Sequence, residues 1–263
     1  MIILKGVGNP FRLMVLGSLL LLCACAANPR PDRTRSKVAA EQRHEIYLSL
    51  VEREHRIQSL RGVATIHHGL SFSRRQDGIV ILVNRPLNFR ITHLPEFGLL
   101  QQEIASFGGS LTVFWPTANK FYQGIGTEEE LTRYLSLSLS TEDAVRYLLT
   151  VVPLDEEEEY VAESYQGIIH LKGLRGEIWA KPGEGGYLPV RVIRYSLTGG
   201  KQESVVQYGG YQEANPVWFP TWMKGEIEGS RIELKFDELE LNPKLAPARF
   251  EITLPKNATR IYE

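Results

Sequence analysis

From residue 60 to residue 241 the chain is written, apart from 127–149, in short strand-like runs parted by turns, and this restricts the fold more than any other feature. Leu60-Arg61-Gly62-Val63-Ala64-Thr65-Ile66 and Gly78-Ile79-Val80-Ile81-Leu82-Val83-Asn84 read as strands joined by a turn near 75–78. Leu87, Phe89 and Ile91 then alternate with Asn88, Arg90 and Thr92, so that strand has one apolar and one polar face. Further strand patterns follow at 99–107, 111–115, 120–123, 168–171, 176–180, 189–195, 203–211, 222–228 and 231–241, parted by Gly-rich or Pro-containing turns. About eleven strands with local turns and no alternation with helices predict a mainly β fold, an antiparallel sheet curled into an incomplete, strongly curved barrel.

Three stretches break the two-residue period. Ile46, Tyr47, Leu50, Val51 and Ile57 are spaced for one side of a helix over 41–57. Thr127-Glu128-Glu129-Glu130 has the form of a capping box, followed by Leu131, Tyr134 and Leu135. A second start at Ser140 leads a helix carrying Ala144, Val145, Leu148 and Leu149, ending before Pro153. These helices are expected to lie across the open side of the sheet. On that arrangement Phe89, Ile91, Val113, Leu131, Leu135, Val145 and Leu148 stand near an apolar interior.

The N-terminus sets the compartment. An apolar segment over 13–22, preceded by Lys5 and Arg12, is too short for the ~20 residues that span a bilayer and has the layout of an export signal. It closes on Leu22-Cys23-Ala24-Cys25, which resembles the bacterial lipobox, so residues 1–24 read as a lipoprotein signal peptide and Cys25 as the lipid-attachment residue. Cys23 fits less well, because Leu21 and Leu22 occupy positions where small residues are wanted; an ordinary cleavage near Ala27 is the alternative. Residues 25–38, rich in Pro, Arg, Ser and Asn, read as a linker, and 39–263 as one domain. More than one acyl chain on the N-terminus would hold the protein firmly on a membrane.

Composition narrows the function. A formal net charge of -1 supplies no field for nucleic acid. Both cysteines lie in the signal region, leaving the domain no disulfide and no thiol, so a core built from the about 230 residues that remain must stabilise it. His67 and His68 are consecutive and face opposite sides of a strand, so they cannot chelate one ion. The acidic run 155–159 lacks the ligand alternation of a calcium loop and reads as a solvated turn. With no nucleophile elbow, zinc-binding helix motif or phosphate loop, the chain does not read as an enzyme, and no cofactor is expected beyond the covalent lipid. One apolar residue is out of place: in His93-Leu94-Pro95-Glu96-Phe97-Gly98, Pro95 and Gly98 mark a turn with Phe97 near its tip, either exposed or folded back onto the sheet.

Several segments together resemble a known family. Val205-Val206-Gln207-Tyr208-Gly209-Gly210-Tyr211, Pro220-Thr221-Trp222-Met223 and Arg231-Ile232-Glu233-Leu234-Lys235-Phe236 are similar to the C-terminal half of LolB, the outer-membrane receptor of the LolA/LolB lipoprotein-localisation superfamily. The turn of Pro95, Phe97 and Gly98 resembles that family's Pro-Leu-Gly loop, with Glu96 inserted and an aromatic in place of leucine. The stretch 127–149 fits its helices, and Phe250-Glu251-Ile252-Thr253-Leu254-Pro255 is similar to the end of LolA. The resemblance implies a monomeric half-barrel whose cavity takes the acyl chains of lipoproteins, received from a periplasmic LolA-like carrier. It also implies a loop, here at Phe97, that promotes release into the outer membrane. Ala26 after Cys25 implies attachment to the periplasmic face of that membrane. The superfamily fold also serves the stress-signalling protein RseB, which keeps a lipid-sensing or scaffold role open.

Overall fold

A computed structural model of the chain describes residues 35–68, 75–94, 100–135, 139–152, 154, 159–195, 202–214, 216–227 and 230–262. Cys25, the loop residues Pro95, Phe97 and Gly98, and residues 155–158 of the acidic run lie outside them. The chain begins with β1 (Ser36–Lys37), helix α1 (Ala40–Arg56), β2 (Ser59–His68), β3 (Arg75–Asn84), β4 (Asn88–Leu94), β5 (Gln102–Phe107), β6 (Ser110–Trp115) and β7 (Lys120–Ile125). Helices α2 (Glu128–Leu135) and α3 (Thr141–Leu148) follow. The second series is β8 (Val161–Tyr165), β9 (Ile168–Lys172), β10 (Gly176–Gly183), β11 (Gly186–Tyr195), β12 (Gln202–Gly209), β13 (Gln212–Ala214), β14 (Val217–Phe219), β15 (Trp222–Ile227), β16 (Ser230–Leu241) and β17 (Thr259–Arg260).

Fifteen of the strands form one curved sheet that does not close, in the order β1-β8-β9-β10-β11-β12-β15-β16-β2-β3-β4-β5-β6-β7-β17, while β13 and β14 pair separately. Every pairing is antiparallel except that of β17 with β7. The incomplete antiparallel barrel expected from the alternation is therefore present. The last residues of the stretch read as linker, Ser36 and Lys37, already pair with β8.

The register places the apolar alternation on one inner face. Leu241, Leu60, Val83, Phe89, Ser106 and Leu111 are neighbours in one row across six strands, and all are buried. The next row runs Leu239, Gly62, Ile81, Ile91, Ile104, Val113 and Tyr122. On the other limb Ala162, Leu171, Ile178, Val192 and Val206 form an equivalent row. At Gly62 an added Cβ would come within 3.1 Å of the Phe236 ring, so this position on the inner face is kept bare for a neighbouring aromatic.

The helices start where their sequences mark them. The Thr127 hydroxyl accepts from the Glu130 amide at 3.3 Å, while the Glu130 carboxylate turns to Arg133 at 3.5 Å, so half of the capping box forms. Ser140 caps α3, accepting from the Asp143 amide at 3.0 Å.

The outer face of the first limb is covered as well. The continuous run Ile79-Val80-Ile81-Leu82-Val83 has apolar residues facing both ways, and on the outside Leu82, Ala105 and Phe114 are buried although they stand apart from the main core. The C-terminal segment crosses this face. A 3₁₀ turn at Pro247–Phe250 packs on β4 and β5 with Phe250 only 1% exposed, and Arg90 donates to the Arg249 and Glu251 carbonyls at 3.2 and 3.3 Å. Phe250→Ala is expected to destabilise the domain by about 3–5 kcal/mol and to open residues 242–262 to limited proteolysis. Thermal unfolding and the cleavage sites check this; an unchanged melting temperature would show that the segment is ornamental.

Candidate functional site

The candidate site is the inner face and the helices on it, built from residues legible in the alternation. Phe89, Val113, Leu131 and Val145 are at most 1% exposed, and Ile91, Leu135 and Leu148 are half-buried against the same cluster. The structure thus brings all seven expected interior residues together, three from strands and four from helices. Helix α2 adds Tyr134, whose ring lies 5.6 Å from Trp115 and 4.8 Å from Tyr122.

Burial along the first limb is uneven. The row nearest the β3–β4 and β5–β6 turns, through Leu60, Val83, Phe89 and Leu111, is sealed. Farther along the strands burial is mixed: Ala64 and Ile79 stay buried, whereas Ile66, His93 and Trp115, Ile91 in the middle row, and Tyr134, Leu135 and Leu148 on the helices are half-buried. The strand end away from those turns, here the mouth end, thus holds most of the half-buried side chains of the interior. Leu94 and Leu100, which flank the loop of Pro95, Phe97 and Gly98, belong to that mouth end, with Leu94 42% exposed.

The second limb meets the helices with polar groups. Tyr147 of α3 is 3.2 Å from the Ser204 hydroxyl, Tyr208 donates to the Tyr147 carbonyl at 3.4 Å, and Arg194 pairs with Asp143. Arg53 of α1 is buried and donates to Thr150 Oγ1 at 2.7 Å. Ser49 of the same helix accepts from the Tyr187 amide at 2.8 Å, and Arg43 donates to the Tyr160 carbonyl at 3.1 Å. Neither Arg53 nor Tyr147 was expected here, since arginine and tyrosine read as surface residues; the signal was their place on otherwise apolar helix stripes, Arg53 between Leu50 and Ile57 and Tyr147 beside Ala144 and Leu148. His67 and His68 stand on β2 as consecutive residues, and among the described residues no cluster of His, Cys, Asp or Glu could hold a metal.

Burial raises the Tyr147 phenol to about 12, and burial also raises Tyr208 and Tyr211 above the usual range. Below pH 10 these phenols are neutral in both states. Above it the unfolded chain releases protons that the fold keeps, so stability falls as pH rises from about 10 to 12. Tyr147→Phe should flatten this alkaline limb by up to one proton, about 1.4 kcal/mol per pH unit, in denaturant titrations across that range. An unchanged slope would mean that the phenol is not the buried group it is taken to be.

No family model matches the sequence, and no curated protein matches it by sequence. Solved structures do resemble the fold. A DUF1329 family protein from Desulfovibrio piger matches with TM-score 0.56 at 14% identity, over 78% of this chain and 95% of that one. A LolA superfamily protein from Nitrosomonas europaea matches with TM-score 0.51 at 15% identity, over 78% and 97%. A domain assigned to outer-membrane lipoprotein sorting from Vibrio parahaemolyticus matches with TM-score 0.54 at 10% identity, over 79% and 96%. The architecture is thus LolA-like, an open curved sheet with helices on its inner face. These likenesses are of fold, and they do not single out LolB within the superfamily.

Proposed function

We propose that this protein is an outer-membrane lipoprotein, anchored through an acylated Cys25 on the periplasmic face, that binds acyl chains in its interior and helps receive and insert lipoproteins. The observation that supports this reading is the uneven packing of the apolar interior: sealed at one strand end, with half-buried Ile66, Trp115, Tyr134, Leu135 and Leu148 beside buried Ala64 and Ile79 toward the end from which the flanks of the Pro95, Phe97 and Gly98 loop leave. Acyl chains enter past Ile91, Trp115, Tyr134 and Leu148, displacing side chains that are the least buried of the core. The LolA-like fold, shared with a domain assigned to lipoprotein sorting, supports this use and a LolA-like carrier as donor. The kinship with LolB rests on the sequence segments. A catalytic group or cofactor has no part in this reading.

A non-enzymatic lipid sensor or scaffold is the second reading, favoured by the polar pinning of α3 across the inner face. The two differ at Phe97. In the carrier reading the aromatic enters the lipid interface, contributing about 1.5–3 kcal/mol if fully buried. Phe97→Glu should then leave folding and acyl-probe binding nearly unchanged while slowing delivery of labelled lipoprotein from a purified carrier into liposomes. Equal transfer by parent and variant, or none by either, turns the assignment to the scaffold.

The anchor has its own test. Metabolic labelling with a radioactive fatty acid should mark the parent protein and spare Cys25→Ala. Label that persists in the variant would move the anchor to Cys23 or elsewhere.

A further inference from the structure

The mouth end carries an exposed apolar tip that the acyl-binding interior does not use. Residues 173–176 form a tight turn between β9 and β10, closed by the Gly173 amide donating to the Gly176 carbonyl at 2.9 Å. The Arg175 carbonyl in turn accepts from the Tyr195 amide of β11 at 2.9 Å. Polar residues suit such a turn without cost, yet its first tip residue is Leu174, at 88% the most exposed large apolar side chain among the described residues. With the backbone pinned on both sides, the leucine is held out from the sheet.

The strand register places this turn. From Gly176 it runs to Arg194 of β11, Ser204 of β12 and Ile227 of β15, and the remaining pairings lead to Leu94 at the end of β4. The β9–β10 turn and the β4–β5 connection, which holds Phe97, therefore leave the same strand end from opposite limbs. Val161, 59% exposed, stands across from Lys172 beside the turn.

The charges around Leu174 fit a lipid surface. Lys172 and Arg175 bracket the leucine, and both are exposed. Lys172 reaches Glu177 only at 3.8 Å, and that carboxylate is already engaged by His170 at 2.9 Å and Tyr195 at 2.6 Å. A protruding apolar tip between two cations suits a fluid partner, which needs no shaped pocket: the leucine enters the hydrocarbon boundary while the long basic side chains stay at the phosphates. Glu159, two residues before Val161, opposes a purely electrostatic attraction, so the contact rests on the apolar side chain and should survive high salt.

We propose that the β9–β10 turn is a membrane-contact site that inserts Leu174 into the lipid interface when the mouth end faces the bilayer. The proposal rests on the tethered-carrier reading and adds a lipid-facing surface on the second limb. The mature chain carrying Cys25→Ala has no other thiol, so Leu174→Cys, Phe97→Cys and Ile125→Cys can each carry one environment-sensitive fluorophore. Ile125 is the control, 73% exposed but at the opposite strand end beside the β5–β6 turn. Each labelled chain is held on vesicles of phosphatidylethanolamine and phosphatidylglycerol by an N-terminal histidine tag on nickel-chelating lipid, in place of the acyl anchor. The emission at 174 should shift to the blue, at low and high salt, and that at 125 should stay as in solution. No shift at 174, or equal shifts at 174 and 125, overturns the proposal. A shift at 97 without one at 174 overturns it and leaves the carrier reading standing, whereas a shift at 174 without one at 97 upholds it and removes Phe97 as the insertion point. A probe at 174 that ignores vesicles but responds to a purified carrier assigns the turn to a protein partner and overturns the lipid.

Discussion

An open sheet with an apolar inner face cannot bury that face on itself, and α3 is a helix that bridges its two limbs. One side of α3 packs on β3 and β4 and places Ala144 and Val145 in the main core. The other side reaches the second limb through Tyr147 to Ser204, Tyr208 to the Tyr147 carbonyl, and Asp143 to Arg194. These two attachments differ in kind. Hydrogen bonds are directional and leave costly unsatisfied groups when broken, whereas apolar contacts of similar volume can slide and repack. Under the carrier reading, the β3–β4 side is therefore the one that yields to an acyl chain while the second limb holds the helix in place.

The alternation made one face of β2 to β7 readable because the opposite face of an antiparallel strand usually meets water. Phe89, Ile91 and Val113 were legible for that reason, and the helical spacing placed Leu131, Leu135, Val145 and Leu148 beside them. The same logic hid the outer core. Leu82, Ala105, Phe114 and Phe250 are buried on a face assumed to be wet, and only the unbroken apolar run over 79–83 signalled that something covers it. Strands of two to five residues, such as β1, β8, β13, β14 and β17, are too short to show a period and depend on their partners. Arg53 escaped notice because composition treats arginine as a surface residue, although its spacing from Ile46, Leu50 and Ile57 places it on the buried stripe.

Under the carrier reading, strand direction relates the tether to the loop that follows β4. Ser36 pairs with Ser164 and Lys37 with Glu163, so the chain enters the sheet from the end that carries the β8–β9 and β10–β11 turns. The β4–β5 connection holding Phe97 leaves from the opposite end, next to the half-buried residues of the first limb. A ten-residue strand such as β2 is about 33 Å long, and the ten peptide steps from Cys25 to Arg35 can extend to roughly 33–36 Å. The linker is thus about as long as the sheet is tall. With Cys25 acylated, that reach lets either strand end face the bilayer, so a loop at the far end and a tether at the near end are compatible. A markedly shorter linker would hold the Phe97 end away from the lipid, which makes linker length, as much as the loop itself, a physical requirement of the carrier reading.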